Sequence, residues 1–158
     1  MSVQIRRARP DEARALTSIA FAAKRHWDYP EKWIQLWTTE LTITPEFIAG
    51  NEVFVAMLDE RIAGCCALVL TGELAELEHM WINPTHMGRG VGRALFEHTT
   101  RRAAQLGLTE LELSADPNAE GFYERMGAVR IGEVHYEIEG QPRVLPRMKI
   151  ELQPEQYL

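Results

Sequence analysis

The chain has 158 residues, 46% of them hydrophobic and 25% charged, which is about one domain's length and the balance of a globular protein with one ordinary core. Seventeen basic against 23 acidic side chains leave a net charge of −6, which argues against nucleic acid, or a membrane surface met by a polybasic patch, as a partner held by overall charge. The two cysteines, Cys65 and Cys66, are adjacent, so they staple no distant segments, and with no zinc-ligand spacing they point to a reducing cytoplasm.

The opening, Met1 to Glu12, is polar and shows no signal peptide. Within it Val3-Gln4-Ile5-Arg6 alternates as a short strand. Pro10-Asp11-Glu12 then supplies the proline and acids of a first helical turn, and Ala13, Leu16, Ile19, Ala20 and Ala23 come next at helical spacing. Tyr29-Pro30 ends that helix. Trp33, Ile34 and Trp37 suggest one further short helix, and Thr44-Pro45-Glu46 caps and starts another. The period then changes. Val53–Met57, Ile62–Leu70 and Leu74–Ile82 read as three strands, joined by turns at Asp59-Glu60-Arg61 and Thr71-Gly72-Glu73, hence an antiparallel meander. The apolar run Ile62–Leu70 is far below the ~18 residues a membrane-spanning helix needs. After Pro84 comes a glycine cluster, then a helix with Val91, Ala94, Leu95, Ala103 and Leu106 on one face and Gly107 at its end. Leu108–Leu113 is a strand able to run parallel to its predecessor, because a whole helix intervenes. A short helix from Asn118 to Met126 stops at Gly127, and Val129–Ile138 and Val144–Leu152 close the chain as two strands.

The glycine cluster, Gly88-Arg89-Gly90-Val91-Gly92, lies between a strand and a helix. Glycine lets a ligand approach the backbone, and the unpaired N–H groups of a helix start bind anions. Met87 to Arg93 is therefore a candidate pyrophosphate cradle, to which Arg89 and Arg93 add charge; the alternative is a turn that only makes room for packing. No Gly-Lys-Ser/Thr is present for a P-loop. The dinucleotide spacing also fails, since Arg93 or Leu95 falls where its last glycine or alanine belongs, and the meander is wrong for that fold.

Ile82-Asn83-Pro84 followed by Gly88-Arg89-Gly90-Val91-Gly92-Arg93-Ala94-Leu95 resembles the acyl-CoA-binding motif of the GNAT acetyltransferase superfamily. Ser114 to Asp116, Asn118, Phe122-Tyr123 and Gly127 resemble its second half, and the element order agrees from Val3 to Leu152. The resemblance implies an α+β fold of the α/β class: one domain over 1–158, with a central mixed, mostly antiparallel sheet of six to seven strands flanked by helices. It implies acetyl-CoA as co-substrate and no metal. Backbone groups of Met80, Trp81 and Ile82 would pair with the pantetheine arm, and N–H groups from Gly88 to Arg93 would hold the pyrophosphate. Asn118 would contact the pantetheine arm, and Tyr123 would sit near the thioester sulfur. One departure is Met87, where the family usually has Gln or Arg; its backbone N–H remains able to donate, its side chain does not.

Attack of an amine on a thioester needs a base for the ammonium proton, donors for the oxyanion and an acid for the leaving thiolate. Tyr123 is the expected acid, against the alternative of a core tyrosine. Strict alternation in Leu74–Ile82 places Glu76, Glu78 and Met80 on one face and Leu77, His79 and Trp81 on the other. Glu78 and then Glu76 are the expected bases, and the alternative is a solvated strand face. A bulge would flip the alternation and present His79 instead. His26, Trp27, Tyr29, Trp33 and Trp37 fall where the family's early helices form an acceptor wall; they read as core or as rings that hold a cation. Cys65 and Cys66 read as core, and His86, His98 and His135 show no ligand spacing.

The expected protein is a cytoplasmic N-acetyltransferase that moves an acetyl group to a primary amine, small or peptide, in a ternary complex. A homodimer is compatible with the resemblance. The alternatives are a non-catalytic acyl-CoA sensor on the same fold and a nucleotide-binding interaction domain.

Overall fold

The computed structural model describes residues 2–72 and 74–153; Met1, residues 154–158 and Glu73, expected in the turn after Gly72, lie outside the described residues. Seven strands form one sheet: β1 (Gln4–Arg7), β2 (Glu52–Leu58), β3 (Arg61–Thr71), β4 (Leu74–Ile82), β5 (Glu110–Ser114), β6 (Val129–Ile138) and β7 (Gln141–Glu151), in the order β1-β2-β3-β4-β5-β7-β6. Every neighbouring pair is antiparallel except β4 and β5, which run parallel across the intervening helix. The mixed, mostly antiparallel sheet flanked by helices expected from the sequence is present.

The helices are α1 (Ala13–Arg25), α2 (Glu31–Leu36), α3 (Thr38–Leu41), α4 (Pro45–Gly50), α5 (Val91–Gln105) and α6 (Glu120–Arg125). Between Tyr29-Pro30 and Thr44 the sequence pattern shows one helix, but the structure has two. Trp37, at φ −88° and ψ 10°, ends α2 and starts α3, and this kink buries its indole. Thr44 caps α4 as its sequence suggests, its hydroxyl accepting from the Phe47 N–H at 3.0 Å. The fifth strand begins at Glu110 rather than Leu108, because the Leu108 N–H is spent on the Ala103 carbonyl at the end of α5.

Strand alternation sorts the core into two layers. Val53, Val55, Cys65 and Ala67 meet Leu16 of α1 and Ile48 of α4 on one side. Phe54, Ala56, Cys66 and Leu77 meet Val91, Leu95 and Phe96 of α5 on the other. The adjacent cysteines thus face opposite layers, and burial pushes both thiols up, Cys66 to about 12, so they remain protonated packing groups.

β4 breaks the alternation. Ala67 of β3 pairs with Glu78 but Cys65 pairs with Trp81, so two residue steps on β3 span three on β4. The extra residue is His79, at φ 52°, in the left-handed region where His is several-fold enriched among non-glycine residues. Its carbonyl accepts the Cys65 thiol at 3.3 Å, and its Nδ1 accepts from the Trp81 indole at 3.0 Å. Strict alternation misplaces the three residues after the bulge. Met80 and Ile82 join Leu77 in the α5 layer, and Trp81 joins the α1 layer, the side of Glu76 and Glu78.

Gly64, opposite Ile82, lets β3 approach this bulged strand closely. A Cβ at that position would lie 2.7 Å from the Trp81 carbonyl oxygen, which is backbone and has little room to give. Gly64→Ala is expected to destabilise the protein by about 1–3 kcal/mol, the usual cost of overpacking a core. A lower urea midpoint at unchanged denaturant slope is the measurement that checks it; an unchanged midpoint contradicts the close approach.

Candidate functional site

Among the described residues, β4 and β5 are paired at Glu76 and Glu112 alone. Beyond that point, among the described residues, no strand pairs with β4 on its β5 side. The strands part, and a cavity of about 920 Å³ opens between them. β4 contributes Glu76 to Ile82 to its lining, β5 contributes Ser114, and the loop after Pro84, the first turn of α5 and helix α6 complete it. A split between parallel strands leaves N–H and C=O groups in want of partners, which an extended ligand can supply.

At one end of this cleft lies the start of α5. Gly90, at φ +80°, is its N-cap, and a Cβ there would meet nothing within 4 Å. The left-handed backbone is what requires glycine, and Gly90 is part of the cleft lining. The first helical bond runs from the Ala94 N–H to the Gly90 carbonyl. The amides of Val91, Gly92 and Arg93 therefore have no intrahelical acceptor, and they carry the positive end of a 15-residue helix. Arg93 and Arg125 line the same end, so its chemistry suits an anion such as a pyrophosphate.

Most of the expected site residues meet here. Met80, Trp81, Ile82, Met87, Gly88, Gly90, Val91, Gly92, Arg93, Asn118, Tyr123, Glu78 and Glu76 all line this one cavity. Arg89 does not; its guanidinium turns toward Asp59, 3.9 Å away. Arg93 lines the cleft while its Nε also donates to Glu97 at 2.8 Å.

The titratable groups are distinguished by their surroundings. Arg147 of β7 donates to Glu76 and, at 3.1 Å, to Glu112, so the Glu76 carboxylate is held in an ion pair. Glu78 has no hydrogen bond or ion pair among the described residues. Burial, and then the neighbouring Glu76 carboxylate, push its pKa above the ordinary carboxylate value, against a smaller pull from Arg147. Tyr123 is 6% exposed and belongs to the α5 layer of the core as well as to the cleft. Burial, with the Cys66 thiol and the Asp116 carboxylate, pushes its phenol well up, so it stays protonated. Phe96 and Phe122 hold its ring edge-on or tilted at 5.2–6.1 Å. His79 also lines the cleft, and burial lowers its pKa to about 4, which leaves it neutral at pH 7.

The aromatic wall is built but already filled. Tyr29, Trp33 and Trp37 contact one another. Lys24 lies over the Tyr29 and Trp37 rings at 5.0 and 4.5 Å, and Arg143 lies over Tyr29 and Trp37 at 4.8 and 5.5 Å. These ring faces hold the protein's own cations. Trp27, His86, Glu40, Asp116 and Arg125 also line the cleft. Trp27 belongs to the expected acceptor wall and Asp116 to the second half of the motif, whereas Glu40, Arg125 and Arg147 escape sequence reasoning, because none occupies a spacing that signals chemistry. Among the described residues, no helix is long and apolar enough to cross a membrane.

The chain resembles known proteins in sequence and in fold. The peptidyl-lysine N-acetyltransferase YjaB of Salmonella typhimurium is 28% identical over 144 residues, covering 90% of this chain and 94% of that one. The crystal structure of a GCN5-related N-acetyltransferase from Rhodopseudomonas palustris matches with a TM-score of 0.80 at 22% identity, covering 96% of this chain and 97% of that one. The PaiA N-acetyltransferase of Thermoplasma acidophilum, in complex with coenzyme A, matches at 0.74 and 18% identity over 96% and 99%; at such identities both are likenesses of fold. Residues 15–128 match the acetyltransferase (GNAT) family itself. With a match over that much of its length, on the fold that carries this split sheet and glycine-started helix, the chain belongs to the GNAT acetyltransferase family.

Proposed function

We propose that this acetyltransferase takes acetyl-CoA into the split between β4 and β5 and transfers the acetyl group directly to a primary amine in a ternary complex. The observation that carries the reading is that the open edge of β4, the free amides of α5, Glu78 and Tyr123 line one cavity. The residues present fit the co-substrate. Gly90 leaves room for diphosphate against the backbone, and Arg93 and Arg125 add positive charge beside the helix start. The Met87 side chain donates nothing there, so main-chain amides carry more of that load. Met80, Trp81 and Ile82 offer backbone groups to the pantetheine arm, and Asn118 faces it from the turn after β5.

The amine arrives mostly as ammonium. Glu78, unpaired and with a raised pKa, takes its proton, directly or through water. The free amine then attacks the thioester carbonyl, β4 backbone N–H groups stabilise the oxyanion, and the carbon–sulfur bond breaks. Tyr123, protonated throughout the physiological range, gives its proton to the departing thiolate, and the second proton shed by the acylated nitrogen restores the phenol through water. Glu76 serves as structure, bound to Arg147, rather than as a second base. The curated relative is named for peptidyl-lysine, which supports an amine acceptor without choosing between small amines and peptides. A panel of both classes, followed by release of the CoA thiol, tests the reading; binding of CoA with no turnover on any amine would contradict it.

Three outcomes are expected. Gly90→Glu puts bulk and negative charge into the cradle and abolishes CoA binding by calorimetry; retained affinity removes the cradle. Tyr123→Phe lowers kcat roughly 10- to 100-fold with CoA affinity nearly unchanged, since one positioned proton donor is lost; unaltered kcat removes Tyr123 from the reaction. Glu78→Gln lowers kcat by about 10²-fold or more. In the unsubstituted protein the rate falls as pH drops through the raised carboxyl pKa, where the base becomes protonated. That acid limb should be absent in Glu78→Gln, and its persistence assigns the limb to another group.

A further inference from the structure

Asp116 stands in the turn between β5 and α6, and three residues converge on its carboxylate. The Lys24 ammonium of α1 donates to Oδ2 at 2.7 Å, and the Tyr29 hydroxyl donates to the same oxygen at 2.9 Å. The Asn118 backbone N–H donates to Oδ1 at 2.8 Å, and the Asn118 Nδ2 to that same oxygen at 2.9 Å. The Lys24 and Asp116 side chains are 12% and 13% exposed. An ion pair this far out of water is weak evidence for stability, because desolvation offsets much of the attraction. It is better evidence that a geometry is being held.

The group held is the Asn118 carboxamide. Its Nδ2 has two acceptors inside the protein, Asp116 Oδ1 and, at 3.1 Å, the Tyr29 oxygen. An amide nitrogen offers two hydrogens, so both are used. Its Oδ1 has no partner among the described residues, and Asn118 lines the cleft. The reversed amide would set Oδ1 against a carboxylate oxygen, two acceptors facing each other. The negative charge of Asp116 therefore decides which end of the carboxamide a ligand meets. Burial alone would raise the Asp116 pKa, but Lys24, the Asn118 N–H and Tyr29 outweigh it and hold it below the ordinary value, so that charge persists at neutral pH.

We propose that Asp116, anchored by Lys24 and Tyr29, is a positioning residue that turns the Asn118 carboxamide so that its oxygen accepts from an amide N–H of the pantetheine arm. This rests on the reading of the cleft as an acetyl-CoA site. The same contacts tie the α1 end of the aromatic wall to the strand turn that precedes α6, so the two sides of the cleft share one support.

A double-mutant cycle on the full chain tests it, with Asp116→Ala, Asn118→Ala and the pair compared by acetyl-CoA KM and kcat. Each single substitution is expected to raise KM about tenfold, the size of one lost hydrogen bond, with kcat held within about threefold. The pair is expected to match either single, because Asp116 acts through Asn118. Multiplied effects, or an unchanged KM in Asp116→Ala, would overturn the proposal. If Asp116→Ala fails to fold, Tyr29→Phe and Lys24→Met take its place against Asn118→Ala, with the same non-additivity expected and additivity overturning it. Wild-type protein that shows no saturation by acetyl-CoA would sink the assignment of the cleft together with this inference. Saturation with an additive cycle sinks this inference alone.

Discussion

Arg147 sits where β4 and β5 part, and the rest of the site depends on that parting. Among the described residues, Glu76 and Glu112, one from each strand, are the one pair in register across them. Two carboxylates opposite each other repel. A single guanidinium from β7 binds both, and its Nη1 also donates to Ser114 at 3.1 Å. The strands are pinned at one end by this charge cluster and diverge at the other. A sheet paired along its whole length would satisfy its own backbone groups and have nothing to offer an extended ligand. The split also sets the start of α5 at the mouth of the opening, because that helix is the crossover between the two diverging strands.

Burial acts on Glu78 and Tyr123 in the same direction, holding protons on both more tightly than water does, and with opposite chemical results. The carboxylate becomes a stronger base, better matched to an ammonium proton. The phenol keeps its proton across the physiological range. Glu76, two residues from Glu78, is bound by Arg147 while its charge still raises its neighbour. The bulge at His79 contributes by geometry. It keeps Glu76, Glu78 and Trp81 on the α1 side while turning Met80 and Ile82 onto α5, so one strand supplies a polar cleft wall and a core layer within nine residues.

The aromatic wall shows how context changes the meaning of a motif. Rings at helical spacing with a histidine nearby suggest either core or a cation-binding face. They are both here, but the cations are Lys24 and Arg143 of the same chain. Through Tyr29 and Asp116 the wall reaches Asn118 on the lining of the cleft.

Local sequence determined the elements, because apolar spacing, proline and glycine act over a few residues: the meander, the glycine-started helix and the parallel β5 all stand where their patterns put them. The expected cofactor-binding residues also line one cavity, Arg89 excepted, since a loop and a helix start are short enough to carry their own geometry. Tertiary structure alone decided the rest. The bulge at His79 depends on Gly64 and Cys65 of a neighbouring strand, so alternation within β4 misplaced Met80. Which of two equivalent glutamates is free depends on Arg147, 71 residues beyond Glu76 in the chain, brought across by β7 inserting between β5 and β6. Charges find their partners through space, and no periodicity in a chain records a partner that arrives from another strand.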